Sequence, residues 1–119
     1  SSGLHSAQYL QCARVLMEPP LATRLGAALA VELKTAMTEA PGAVVAPALG
    51  GVLVAHEVAR ALGCRGIFTE RQDGAMTLRR GFVLEPKEGV VVVEGLLHRM
   101  HLADGTQSLE RDDLLVGLE

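Results

Sequence analysis

Three groups of residues in this chain have the chemistry to line a ligand site, the first two of them by meeting an anion. Gly50-Gly51 stands between the short apolar run Ala43 to Ala46 and the helix-like segment Val52 to Leu62. Two glycines in a strand-to-helix turn let backbone N–H groups approach an anion, and the helix dipole favours negative charge there. The same turn can also serve nothing but close packing. Arg71 and the pair Arg79-Arg80 flank a polar excursion containing Asp73 and Gly74, with Glu70 alongside. Guanidinium groups hold their charge and grip phosphate two oxygens at a time. On a mobile loop they would close over a bound anion; on a solvated hairpin they would be ordinary surface charges, which is what composition alone favours. The third group is Glu94, at the end of Gly89-Val90-Val91-Val92-Val93. In open α/β sheets ligands sit outside the carboxyl ends of the strands, so this carboxylate points at a site.

The elements that must position these groups read as α/β. Four consecutive valines bounded by Gly89 and Glu94 are the pattern of a central strand of a parallel sheet, covered on both faces. Pro19-Pro20 opens a helix from about Leu21 to Met37, whose Leu21, Leu25, Ala28, Leu29 and Leu33 recur at helical spacing and are expected to face the sheet. Pro41-Gly42 ends it, Ala43 to Ala46 is a short strand, and Val52 to Leu62 is a helix stopped by Gly63. Gly66 to Thr69 is a strand, Glu70 to Met76 a loop, Thr77 to Leu84 an extended segment, and Pro86 to Gly89 a turn into the valines. The expected fold is a small parallel sheet flanked by helices in a single domain over residues 1–119. One junction disturbs it. A parallel strand needs a crossover of a dozen or more residues, yet only Gly95 separates Glu94 from the apolar Leu96-Leu97-His98-Arg99-Met100. Either the two segments form one long strand or a loop and helix are missing, and the second account expects a break in the chain near residue 95.

Composition narrows the class. The chain has 119 residues, 49% of them hydrophobic, with one tyrosine, two phenylalanines and no tryptophan, so its core is built from Ala, Val and Leu. A net charge of -3 offers no general surface for nucleic acid. No apolar run approaches the roughly 20 residues that span a bilayer, and no signal peptide is visible. Cys12 and Cys64 are too few for a disulfide framework or a zinc site and read as free thiols of a cytoplasmic protein. His5 reads as a turn residue and His56 as a structural helix residue. His98 and His101, without acid ligands nearby, make a poor metal site, and no protein-held metal is expected.

Four stretches in order carry a family resemblance: Ser2-Gly3-Leu4-His5-Ser6 followed by Tyr9-Leu10-Gln11-Cys12-Ala13; Ala46-Pro47-Ala48-Leu49-Gly50-Gly51; Glu70-Arg71 with Met76-Thr77-Leu78-Arg79-Arg80-Gly81-Phe82; and Val90 to Glu94. Together they resemble the orotate phosphoribosyltransferases of the type I phosphoribosyltransferase family, over residues 2–94. In that family the last strand continues as Glu-Asp-Val-Val-Thr-Thr-Gly, the loop around the 5-phosphate of phosphoribosyl pyrophosphate, whereas this chain reads Glu94-Gly95-Leu96-Leu97. The tail from Leu96 to Arg99, with Gly105 and Leu114 to Glu119, is similar to the part that follows the missing helix. The simplest account is the loss of one loop and one helix, about 25 residues. The chain also starts at Ser1 inside a motif, so further sequence is expected before it. A true deletion variant is the alternative.

The resemblance implies a type I phosphoribosyltransferase-like fold with a small hood-like N-terminal part, and transfer of the phosphoribosyl group from phosphoribosyl pyrophosphate to orotate, giving orotidine 5'-monophosphate. It implies Leu49, Gly50 and Gly51 around the donor's pyrophosphate, with Arg71 and Arg79 (Arg80 as the other choice) above it and Glu94 on the ribose hydroxyls. Arg71 and Glu94 are thereby the catalytic pair. Tyr9, Leu10 and Arg99 are implied at orotate, Ser1 standing where many relatives carry a lysine. Mg²⁺ is implied on the substrate's pyrophosphate, and a homodimer whose loop reaches the neighbouring site; neither nucleic acid nor membrane is an expected partner. Two other readings stay open: a non-catalytic relative that binds a nucleotide or pairs with another subunit, and a phosphoribosyltransferase for a different base.

Overall fold

A computed structural model describes residues 12–93, with the backbone of two further strands at 97–100 and 115–116. The described elements are α1 (Cys12–Leu16), α2 (Pro19–Ala36), β1 (Ala43–Pro47), α3 (Val52–Leu62), β2 (Arg65–Gln72), β3 (Ala75–Leu78), β4 (Val90–Val93), β5 (Leu97–Met100) and β6 (Leu115–Val116). Among them the strands form one sheet in the order β3-β2-β1-β4-β5-β6. This is a mixed α/β fold, with β1 at the centre running parallel to both β2 and β4.

Alternation along the strands divides the core into two layers. Val44, Ala46, Val91 and Val93 face the helices, against Leu29 and Leu33 of α2 and Val54, Ala55, Val58 and Ala59 of α3. Ala43, Val45, Val90 and Val92 face the other way, where Leu84 and Phe82 of the β3–β4 connection cover them together with Ile67. All four valines of β4 are buried, as a central strand requires. Among the described residues, helices lie on one face of the sheet and the irregular segment between Arg79 and Gly89 lies on the other.

Helix α2 starts at Pro19, two residues before the expected start near Leu21, and presents a different stripe from the expected one. Its buried residues are Ala22, Gly26, Leu29, Ala30 and Leu33; Leu21 and Ala28 are exposed and Leu25 is half-buried. The reason is Gly26. A Cβ there would lie 2.6 Å from the Cβ of Glu57 and 2.7 Å from its carbonyl carbon, so α2 and α3 pack backbone to backbone at this point. That close approach turns the small residues of α2 inward and the larger Leu21 out. Helix α3 ends as expected at Gly63, which takes a φ of 72° while Cys64 N–H donates to the Ala59 carbonyl at 3.1 Å.

Two other expectations are corrected. Residues 70–76 are not a loop. β2 continues to Gln72, turns through Asp73 (φ 51°) and Gly74 (φ 83°), and returns as β3, with Arg71 opposite Met76. Two successive positive φ values make the hairpin turn that Asp-Gly favours. The second correction concerns the tail. β5 pairs antiparallel with β4, Val93 opposite Leu97, and so is neither a continuation of β4 nor a strand parallel to it. Three residues between paired positions suffice for a hairpin and cannot make a parallel crossover. Residues 94–96, where a break was expected, lie outside the described residues, as do residues 1–11 at the amino-terminal end, where a hood-like part was expected.

At the amino-terminal edge of the sheet an ion pair clamps three segments. Arg65 donates to Glu88 at 2.6 Å and to the Val83 carbonyl at 3.0 Å, while the other Glu88 oxygen accepts from the Glu85 N–H at 2.9 Å. The Glu88 side chain is 14% exposed and lies where Gly42 has no side chain. Burial pushes the Glu88 carboxyl up, but the hydrogen bonds from Arg65 and Glu85 and the Arg65 charge outweigh it, leaving it below the ordinary carboxylate value. A group whose pKa is depressed by folding stabilises the fold above its unfolded pKa and loses that contribution as pH falls through the folded value. Urea unfolding should therefore show Glu88→Gln less stable than the parent at pH 7, with the gap closing below about pH 4. Gly26→Ala should destabilise by about 1–3 kcal/mol at neutral and at acidic pH alike, because the clash is with the Cβ and backbone of Glu57 and not with its carboxylate.

Candidate functional site

The site is built where the chain reverses direction in the sheet. From β1 the connection through α3 leads to β2 on one side, while β4 lies on the other, so the carboxyl ends of β1 and β4 border a switch point. Crevices of this kind are where open α/β sheets receive ligands. The turn after β1 fills its floor. Gly51 sits directly before α3, and a Cβ on it would lie 2.8 Å from the Ala46 Cβ and 3.0 Å from the Val93 carbonyl oxygen. The glycine turn is thus in contact with the end of β4, the strand that Glu94 follows in sequence. Glu94 itself lies outside the described residues.

Hydrogen bonding singles out part of the turn. Ala48 N–H donates to the Thr69 carbonyl at 2.8 Å, Gly51 to Pro47 at 3.2 Å and Val52 to Leu49 at 3.2 Å. Among the described residues the N–H groups of Leu49 and Gly50 have no backbone partner. Gly50 has nothing within 4 Å of where a Cβ would stand, and the Leu49 side chain is 86% exposed. Within the turn, the N–H groups that remain for an anion belong to Leu49 and Gly50; that of Gly51, expected to share in this, is committed to Pro47. Gly51 contributes by its lack of a side chain.

The cations lie on the β2–β3 hairpin. β1 ends at Pro47 opposite Thr69, so residues 70–72 run on beyond it, about 10 Å of strand paired only with β3. Arg71 is exposed there and donates to the Gly74 carbonyl at 3.2 Å. Arg79 is exposed and has no side-chain partner among the described residues. Arg80 is engaged: its Nε and Nη2 donate to the two Glu70 oxygens at 2.9 and 2.8 Å, and its guanidinium carbon lies 5.8 Å from the centre of the Phe68 ring. The hydrogen bond from Arg80, with the Arg80 and Arg79 charges, holds the Glu70 carboxyl below its ordinary value against the opposing effect of burial. Between the two candidate arginines, geometry leaves Arg79 open and closes Arg80. Sequence reasoning named Glu70 but missed its pairing with Arg80, ten positions away; the hairpin signal Asp73-Gly74 was the clue that could have found it.

Of the residues assigned to orotate, Tyr9 and Leu10 lie outside the described residues, and Arg99 is described only by its backbone in β5. That backbone is paired with Val91, two residues back from the carboxyl end of β4, because β5 runs antiparallel. Among the described residues no three of His, Cys, Asp and Glu gather into a metal-binding group, and no helix is long and apolar enough to cross a membrane. Cys12 and Cys64 are free thiols packed against the helix-side core, and burial raises the Cys64 pKa above its ordinary value, helped by Glu88 and opposed by Arg65.

Comparison with known proteins bears on this site. No family model matches the chain. Among curated proteins it is 54% identical over 97 residues to the orotate phosphoribosyltransferase of Heliobacterium modesticaldum and 52% identical over 97 residues to that of Novosphingobium aromaticivorans. It is 55% identical over 96 residues to that of Acidithiobacillus ferrooxidans. These matches cover 81–82% of the chain and 49–50% of each relative, so the chain spans about half the length of the curated relatives it matches. They support the family read from the motifs.

The two glycines should respond differently to an added methyl group. Gly51→Ala should lose about 1–3 kcal/mol in a denaturant titration, since its neighbours are a packed methyl group and a strand carbonyl. Gly50→Ala, pointing into open space, should stay within about 0.5 kcal/mol of the parent.

Proposed function

We infer that this chain is part of an orotate phosphoribosyltransferase, which transfers the phosphoribosyl group of phosphoribosyl pyrophosphate to orotate and releases pyrophosphate. The observation that carries the reading is sequence identity above 50% with enzymes of that name over four fifths of the chain. The geometry agrees with it: an open glycine turn at a switch point, with exposed Arg71 and Arg79 on and just after the hairpin of the neighbouring strand, suits a polyphosphate.

In this reading Leu49 and Gly50 N–H groups and the dipole of α3 receive the pyrophosphate of the donor. Arg71, with Arg79, stabilises the charge that builds on pyrophosphate as its bond to the ribose breaks. Glu94 accepts hydrogen bonds from the ribose hydroxyls. Tyr9 and Leu10 form the wall against which orotate lies, and Arg99 meets its carboxylate. Mg²⁺ bound with the donor's pyrophosphate would supply charge neutralisation there. Two copies of the chain pair so that the hairpin of one reaches the other's site, in the cytoplasm.

A second reading is favoured by one observation. β5 folds back on β4 after three residues, which leaves little chain for a loop around a 5-phosphate. A non-catalytic relative that binds a nucleotide or pairs with another subunit would have this shape. One assay separates the two: orotate-dependent release of pyrophosphate with Mg²⁺ present. The catalytic reading expects release, and expects Arg71→Ala to lower turnover about a hundred-fold or more while the circular dichroism spectrum is unchanged. Absence of any orotate-dependent release rejects the orotate reading and leaves the non-catalytic relative or an enzyme for another base.

A further inference from the structure

The hairpin that carries Arg71 lacks the usual means of holding its direction. Beyond Thr69 it is a two-stranded ribbon of three residue pairs with its tip exposed, and isolated two-stranded hairpins are marginal in water. Its own bonds, Thr77 Oγ1 to the Glu70 carbonyl at 3.3 Å and Arg71 to Gly74, tie one strand of it to the other and not to the body. What meets it at the root is a cluster of four side chains. Phe68 and Phe82 stand edge to face with centroids 5.1 Å apart, Arg80 lies over Phe68, and Arg80 forks onto Glu70. Phe82 in turn packs against the sheet-side core through which the β3–β4 connection passes. Arg80 reaches this position from a turn in which it takes a φ of 57°, a conformation that favours glycine, with Phe82 N–H donating to Arg79 at 3.0 Å.

We propose that the Glu70–Arg80 pair braces the projecting hairpin against the body of the domain, and that both are positioning residues for Arg71. Arg80 spends its fork on Glu70, so it serves by geometry and leaves contact with the anion to Arg71 and Arg79. Glu70 and Arg71 are adjacent on one strand and point to opposite faces of the ribbon, so fixing one orients the other. The brace itself stands on the contacts above; its consequence for Arg71 rests on the phosphoribosyl-transfer reading.

Two measurements keep these apart. In peptide-resolved amide exchange, Glu70→Gln and Arg80→Gln should each speed exchange across residues 70–77 about three-fold, the scale of a bidentate pair that is partly exposed. The double variant should be no faster than either single, and exchange in residues 43–47 and 90–93 should not change. Unchanged exchange in the hairpin, or effects that add in the double variant, would overturn the brace whatever the protein catalyses. In the pyrophosphate-release assay each single variant should lose turnover on the order of ten-fold with KM for both substrates within about two-fold. A raised KM for phosphoribosyl pyrophosphate with turnover intact would make Arg80 a ligand and overturn the positioning role. Altered exchange in a protein without orotate-dependent release would uphold the brace and remove the reaction it was assigned to serve.

Discussion

Ala46 at the end of β1, the Val93 carbonyl at the end of β4 and the first turn of α3 converge on one point, and only a residue without a side chain fits there. Gly51 is that residue. Because it can lie against both strand ends, α3 begins immediately after β1 and its amino terminus opens at the switch point of the sheet. The chain needs Pro47 to Gly51 for this reversal, and hydrogen bonds within those residues and to Thr69 fix the turn. The two N–H groups left over, at Leu49 and Gly50, are a consequence of how that turn closes. A larger residue at 51 would push α3 away from β4, and with it the buried face of Val54 and Val58 that covers the sheet.

The same economy of side chains recurs away from the site. α2 crosses α3 at Gly26 against the backbone of Glu57, and the Glu88 side chain occupies the space over Gly42. With Val and Ala filling most of the core and no large aromatic among its fully buried side chains, close approach of backbones replaces bulk as the source of packing contact. The two phenylalanines are left for the root of the hairpin, where a flat ring supports a guanidinium.

What could be read from residue order was whatever local chemistry decides. Pro19-Pro20 starting α2, Gly63 ending α3 and the four buried valines are each set by conformational preference or by an unbroken apolar run. The Gly50-Gly51 turn was legible as a turn, but which glycine offers its N–H depends on a bond to Pro47 that no local rule supplies. The buried face of α2 was misassigned because leucine spacing weighs more in a periodicity count than Gly26, whereas the helix crossing weighs the glycine most. Glu70 and Arg80 become neighbours only once the Asp73-Gly74 turn sets the register of β2 against β3, and that turn was passed over in favour of a loop. The direction of β5 was hidden for a related reason: an apolar run after a tight connection reads the same whether it continues, crosses or folds back.

That last element bears directly on where an anion can be held. A concave phosphate cradle needs several successive N–H groups in a connected turn. After β4 the chain has three residues before Leu97 is paired with Val93, and an antiparallel partner already lies along that edge of β4. After β1 the chain has a glycine turn with two N–H groups open and a helix dipole behind it. On the neighbouring strand the hairpin carries Arg71, with Arg79 just after it, and among the described residues neither is hydrogen-bonded to a carboxylate, Glu70 bonding Arg80 instead. The anion-binding capacity of the described carboxyl edge is therefore weighted toward β1 and β2.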